Sequence, residues 1–153
     1  MPGQAKRVNS VRHKLNAIPL EFDGKNVLLV DDSIVRGTTS KQIVAMARAA
    51  GAKKVYFASC SPPLRHPCVY GIDMSTRTEF IARGREVDEV ADLLGVDGLV
   101  YQDLDDLVHA VRAGNDSLTE TCHACFSGVY PTGDVDETML VQIETERLTN
   151  QKA

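Results

Sequence analysis

The stretch VLLVDDSIVRGTTS, residues 27–40, decides the fold of this chain. It opens with a continuous apolar run, 27–30, which is typical of a strand covered on both faces in a parallel sheet. A helical pattern begins where the stretch ends, and a second strand pattern, 54–59, follows that helix at once. Strand, helix and strand in this order form a crossover unit with parallel strands. The sequence therefore predicts an α/β fold.

The helix of this unit has its own start and stop signals. Thr39 or Ser40 is expected to cap it, and Gly51 is placed to end it after about Ala50. Its spacing predicts a buried apolar face formed by Ile43, Val44, Ala47 and Ala50.

Later segments extend the core to about residue 114. The chain is expected to be irregular from the prolines at 62–63 to about 78, and then to form a helix over 87–94 and a strand over 99–101. A helix over 103–113 carries apolar residues at i, i+3, i+4 and i+7, namely Leu104, Leu107, Val108 and Val111. Glycines at 95 and 114 are placed to end the two helices.

Three regions are predicted: a loop segment over 1–26, the α/β core over 27–114, and a helical or irregular tail over 115–153. In the tail, Met139, Leu140 and Ile143 fit one face of a closing helix packed on the domain.

Composition narrows the class of protein. The 153 residues carry a net charge of -4, which has the wrong sign for a protein whose main partner is nucleic acid. No run approaches the roughly 18 to 20 apolar residues of a membrane span. We expect a cytoplasmic protein with reduced thiols, although the basic first residues leave an organelle transit peptide as an alternative.

The candidate site lies directly after the first strand, where ligands collect in open α/β sheets. Asp31 and Asp32 suit a hydrated Mg²⁺ ion or the hydroxyls of a ribose. The following residues offer hydroxyls, a guanidinium and backbone amides to a phosphate at a helix start, namely Ser33, Arg36, Gly37, Thr38 and Thr39. The alternative is a solvated turn whose acids only cap the helix.

An apolar strand, two acids and a loop ending in Gly-Thr-Thr resemble the signature of type I phosphoribosyltransferases, which bind phosphoribosyl pyrophosphate (PRPP). The form of the stretch is most similar to the glutamine PRPP amidotransferases. Four further stretches agree with that family: SVRHKLN at 10–16, GAKKVYFAS at 51–59, SPPLRHPCVYGIDM at 61–74, and CFSGVYPT at 125–132.

The resemblance implies a type I phosphoribosyltransferase sheet and a reaction that converts PRPP, glutamine and water into phosphoribosylamine, glutamate and pyrophosphate. It assigns the ribose hydroxyls to Asp31 and Asp32, directly and through Mg²⁺, and the 5'-phosphate to Ser33 and the residues at 36–39. Purine nucleotide inhibitors are implied to use the same phosphate grip. Arg12 and Lys14 match a mobile loop that closes over PRPP, although a solvated terminus is an equal alternative.

The resemblance covers the C-terminal third of the family. It implies that the N-terminal glutaminase domain and the first part of the phosphoribosyltransferase domain have no counterpart here, so that the sheet is incomplete at its N-terminus. The intact proteins are expected to be homo-oligomers.

Cysteines offer a second candidate site. Cys122 and Cys125 are spaced like half of a zinc site, a redox pair or half of a cluster site, or they are unliganded thiols. By resemblance, Cys68, Cys122 and Cys125 match three ligands of a [4Fe-4S] cluster that some members of the family carry, whereas Cys60 matches none.

Three other functions remain open at this point. A salvage phosphoribosyltransferase shares the acids and the Gly-Thr-Thr loop, but it has no place for the stretches at 61–74 and 125–132. A regulatory protein with a PRPP pocket needs a basic surface, which the net charge of -4 disfavours. A chain that binds PRPP without catalysis is the third. Three histidines receive no role, His66, His109 and His123.

Overall fold

The computed structural model of the chain describes residues 18–74 and 76–150. These residues form one sheet of three parallel strands, β1 (Asn26–Asp31), β2 (Lys54–Ser59) and β3 (Gly98–Tyr101), in the order β1-β2-β3. Val27 pairs with Val55, and Tyr56 pairs with Gly98. The predicted α/β class and all three strands are confirmed, because each strand differs from its predicted bounds by at most one residue at either end.

Helices fill the connections between and after the strands. In chain order they are α1 (Pro19–Phe22), α2 (Thr38–Ala49), a short 3-10 helix (Arg77–Glu79), α3 (Val87–Leu94), α4 (Leu104–Arg112), α5 (Ala124–Ser127) and α6 (Glu137–Asn150).

The hydrophobic core lies between one face of the sheet and the helices α2 and α3. Val55 and Phe57 of β2 are its most buried strand residues. Val44, Ala47, Val90 and Leu94 of the two helices belong to the same cluster. Burial of this apolar surface is the main stabilising contribution to an α/β layer.

The opposite face of the sheet has a different environment. Leu28, Val30 and Val100 are 60%, 64% and 65% exposed. A strand covered on both faces was expected from the apolar run at 27–30, but within residues 18–74 and 76–150 only one face of β1 is covered. The run is continuous because both faces are apolar.

The first turn of α2 differs from the sequence expectation. Gly37, with φ 72°, precedes the first helical residue, and no side chain caps the helix. The prediction that Thr39 or Ser40 is the cap is wrong, since both residues lie inside the helix. A glycine in the left-handed region turns the chain sharply enough to start the helix earlier. Val44 and Ala47 are buried as predicted, whereas Ile43 and Ala50 are half-buried.

Helix α4 forms as predicted but does not bury its apolar stripe. Asp103 caps it, because its Oδ1 accepts from the amides of Asp105 at 2.8 Å and Asp106 at 3.2 Å. No residue of α4 is buried, and Val111 is half exposed. The spacing of apolar residues predicts the helix and its face, but it does not reveal whether a neighbour covers that face.

The tail has a small core of its own. Ala124, Tyr130 and Leu140 are buried together, with Val69 and Val135 packed against them. The predicted closing helix is confirmed as α6, although Met139 stays largely exposed. The tail therefore packs on the irregular segment after β2. The region boundaries at residues 26 and 114 remain predictions.

Within the described residues, the structure contains no helix both long and apolar enough to cross a membrane.

Candidate ligand site at the carboxyl end of the sheet

The two acids lie where β1 ends. Asp31 is the last residue of the strand, and its carbonyl oxygen accepts from the Cys60 amide at 2.9 Å. Its Oδ1 accepts from the Asp32 amide at 3.0 Å, and Asp32 Oδ1 accepts from the Ser33 hydroxyl at 3.0 Å. The backbone and these short-range bonds therefore orient both carboxylates at the carboxyl edge of the sheet.

A buried side chain anchors the loop between β1 and α2 to the hydrophobic core. Ile34 is 1% exposed and belongs to the main core, which ties the loop to the sheet. Gly37 has φ 72°, and a Cβ atom there would run into the end of the Ile81 side chain. Glycine fits this position best, because another residue would meet an unfavourable backbone conformation and would have to displace Ile81.

Helix α2 begins at the end of the loop that follows the two acids. Its first intrahelical bond runs from the Lys41 amide to the Gly37 carbonyl at 2.9 Å. The amides of Thr38, Thr39 and Ser40 therefore precede the hydrogen-bonded ladder of this 12-residue helix. Unpaired amides and the positive end of the helix dipole together favour an anion such as phosphate.

Arg36 points to a neighbouring segment. Its Nη1 lies 2.9 Å from Oε1 of Glu79. Sequence reasoning missed Glu79, although Thr76 and Glu79 have the Thr-x-x-Glu spacing that often marks a helix start. That pattern was the available signal.

The structure brings most of the predicted ligand residues to one edge of the sheet: Asp31, Asp32, Ser33, Arg36, Gly37, Thr38 and Thr39. Arg12 and Lys14 lie outside the described residues.

The cysteines lie in the tail and in the segment it packs against. The carbonyl oxygen of Cys125 accepts from the amides of Arg65 at 3.1 Å and His66 at 3.0 Å, which brings the tail against the segment that contains Cys68. Burial raises the pKa of the Cys125 thiol, and the neighbouring Cys68 and Cys122 sulfurs raise it further. Cys60 is exposed.

These cysteines do not form a complete ligand set. In the part of the chain that the structure describes, no three His, Cys, Asp or Glu side chains are arranged to hold a metal ion. Three thiolates are also one fewer than a [4Fe-4S] cluster requires. The described residues alone therefore do not complete a cluster site, and a cluster in the intact protein stays a prediction.

Similarity to known proteins adds to this geometry. The chain is 61% identical over 147 residues to an amidophosphoribosyltransferase of Pasteurella multocida, covering 96% of the chain and 29% of the relative. It is 59% identical over 153 residues to that of Escherichia coli K12, covering all of the chain and 30% of the relative. This chain is a relative of the amidophosphoribosyltransferases. It spans less than a third of their length. No family model matches it.

Two solved structures have the same fold over this length. A Bacillus subtilis glutamine PRPP amidotransferase complexed with ADP and GMP aligns with a TM-score of 0.71 and 47% identity, covering 86% of this chain and 29% of that one. A structure described as the allosteric regulatory enzyme of purine biosynthesis aligns with a TM-score of 0.75 and 46% identity. The alignment covers 94% of this chain and 31% of that one. These two alignments confirm the predicted type I phosphoribosyltransferase-like sheet. The relatives found by sequence are also named as phosphoribosyltransferases.

Proposed function

We propose that this chain binds PRPP with Mg²⁺ and contributes that site to amidophosphoribosyl transfer. In that reaction PRPP, glutamine and water give 5-phosphoribosylamine, glutamate and pyrophosphate, as the first step of purine nucleotide synthesis. The observation that carries the proposal is that Asp31 and Asp32 end β1 and that the loop after them leads directly into the first turn of α2. The high identity to amidophosphoribosyltransferases supports the same proposal. Glutamine hydrolysis is not assigned to these 153 residues.

The two ends of the site have different tasks. In the proposal, the hydroxyl of Ser33 and the backbone over 36–39 bind the 5'-phosphate, because the helix start offers donors and a positive dipole. The carboxylates of Asp31 and Asp32 accept from the ribose hydroxyls. Fixing the sugar at both ends orients C1 toward the attacking ammonia, and orientation of the reactants lowers the barrier of such a displacement.

Two adjacent carboxylates also fit Mg²⁺ in this role. Mg²⁺ in phosphate-transfer sites commonly takes one or two carboxylates and completes its shell with water and substrate oxygens. Within residues 18–74 and 76–150 no larger ligand group exists, which is consistent with an ion held mainly by PRPP. When bound, Mg²⁺ neutralises the charge of the pyrophosphate leaving group. The iron–sulfur cluster is not part of the proposal.

Nucleotide inhibitors extend the proposal to regulation. The B. subtilis relative was solved with ADP and GMP. We propose that a purine nucleotide places its 5'-phosphate at the start of α2 in this chain too, because the helix start binds the phosphate group and makes no contact with the base. Binding of GMP and PRPP is then mutually exclusive.

Calorimetry of PRPP binding in Mg²⁺ tests the proposal. We expect Asp31→Asn/Asp32→Asn to lose PRPP binding, since neutral amides pair poorly with both Mg²⁺ and two hydroxyls. Glu21→Gln is the control, because Glu21 is an exposed carboxylate of α1 paired only with Lys25 among the interactions the structure describes. Equal affinities in the double variant and the native chain would contradict the assigned site.

A further inference from the structure

The phosphate-binding loop, residues 33–37, is held by a segment far away in sequence. This supporting segment, residues 76–82, contains the short 3-10 helix. The Ile81 amide donates to the Val35 carbonyl at 2.9 Å. The Ile81 side chain also occupies the space in which a Cβ atom of residue 37 would lie. The loop and the supporting segment therefore form one packed unit.

A charged contact completes this unit. Arg36 Nη1 and Glu79 Oε1 are 2.9 Å apart, at the outer side of the loop. The second oxygen of Glu79, Oε2, accepts from the Thr76 amide at 3.2 Å and from its hydroxyl at 3.1 Å. Both carboxylate oxygens are thus occupied within the protein, so the orientation of Glu79 is set before any ligand arrives.

We propose that Glu79 is a positioning residue for phosphate binding. It holds the Arg36 side chain against the supporting segment, and this contact keeps the backbone amides after Arg36 directed at the phosphate. Arg36 then acts through the shape of the loop and not by direct contact with the ligand. The inference rests on the proposed function, because it explains how the loop at the start of α2 is preorganised.

The same pair has a purely structural alternative. The Arg36 and Glu79 side chains are 32% and 38% exposed, and a half-exposed ion pair of this kind contributes little to global stability. A positioning role therefore predicts effects on ligand affinity and on local motion of the loop that exceed any effect on unfolding. That difference separates the two explanations.

The test compares Arg36→Ala, Glu79→Ala and the double variant in the full chain. Calorimetry with ribose 5-phosphate measures the phosphate grip, and amide hydrogen exchange of residues 33–38 and of Ile81, without ligand, measures the loop. We expect each single variant to weaken ribose 5-phosphate binding about threefold to tenfold, and the double variant to be no weaker than either single one. Exchange of the loop is expected to be faster in all three.

Arg48→Ala is the matched control. Arg48 pairs with Asp97, and their side chains have similar exposure, 37% and 30%. This pair lies at the amino end of the strands, because Asp97 directly precedes β3. It is expected to leave both measurements unchanged. Additive losses dominated by Arg36→Ala would show that Arg36 contacts the phosphate directly and would overturn the inference, as would unchanged loop exchange. A native chain that binds no ribose 5-phosphate would refute the proposed function, while exchange would still decide whether Glu79 holds the loop.

Discussion

Gly37 is the residue on which the proposed phosphate site depends most directly. It combines φ 72° with contact to Ile81, so a methyl group at this position meets both backbone strain and a packed side chain. We expect Gly37→Ala to lower the free energy of unfolding by about 2 to 4 kcal/mol and to abolish ribose 5-phosphate binding. Urea denaturation and calorimetry measure the two effects.

Gly84→Ala is the matched control, because it introduces the same backbone strain without a side-chain clash. Gly84 has φ 64°, but a Cβ atom there would meet nothing within 4 Å. We expect it to cost only about 1 kcal/mol, the ordinary cost of a non-glycine residue in the left-handed region. Similar losses in the two variants would mean that contact with Ile81 does not restrict residue 37.

Sequence reasoning at this scale predicted the candidate site but not the contacts that support it. The acids and the Gly-Thr-Thr loop are contiguous, so their pattern is readable without the fold. Glu79 is 43 residues from Arg36, and no local pattern links one surface charge to another so far away. The cap of α2 was misassigned for a related reason, since Thr39 and Ser40 are good caps by type, but the Gly37 turn starts the helix before them.

Arg77 links helix α6 to the segment after β2, in addition to the packing of Leu140 in the tail core. Arg77 is 8% exposed, its Nη1 pairs with Glu137, and its amide and Nε bind the two oxygens of Glu144 at 2.9 and 3.1 Å. We expect Arg77→Met to destabilise the docked helix by roughly 3 kcal/mol, because Glu144 would keep a half-buried charge without its partner. Amide exchange over residues 137–146 measures the release of α6.

A double variant, Arg77→Met/Glu144→Met, separates charge from packing. Replacing both partners with apolar side chains of similar size should restore much of the protection, because no buried charge is left unpaired. Glu137 also loses its partner, but its side chain is 73% exposed. If the double variant exchanges as fast as Arg77→Met, the salt bridge is not what docks the helix.

For individual helices and strands, the apolar pattern of the sequence predicts the element better than it predicts which of its residues are buried. The spacing at 103–113 predicted α4 correctly, because a capped amphipathic helix needs only local signals. Its burial was not predictable, since that depends on which surface lies opposite. The same holds for β1, whose apolar run indicates two covered faces while Leu28 and Val30 remain exposed among the described residues.

The stability of the whole molecule should depend on pH through His66. Burial lowers the pKa of His66 below its usual 6.5, and the positive charges of Arg83 and Arg65 lower it further. Nearby Glu137 opposes this shift and Arg77 adds to it. The unfolded chain therefore binds the proton more readily than the folded chain between the lowered pKa and 6.5.

Stability from this histidine is complete above pH 6.5 and is lost as the pH falls toward the lowered folded value. We expect the urea midpoint to fall between about pH 7.5 and pH 5.5, and to fall less in His66→Gln. The other three histidines, His13, His109 and His123, are present in both proteins, so the difference between the two proteins isolates His66. Equal decreases would assign the effect to other groups.

The order of the strands has a consequence for how the chain is made. Because β1, β2 and β3 lie side by side in the same order as along the sequence, β2 and β3 each find a neighbour already synthesised when they leave the ribosome. Among the strands that the structure describes, none has to be inserted between two earlier ones. The sheet can therefore assemble while the chain is still being synthesised. The phosphate-binding loop is flanked by paired strand and helix once β2 has formed, but the supporting segment is synthesised later, after Met74.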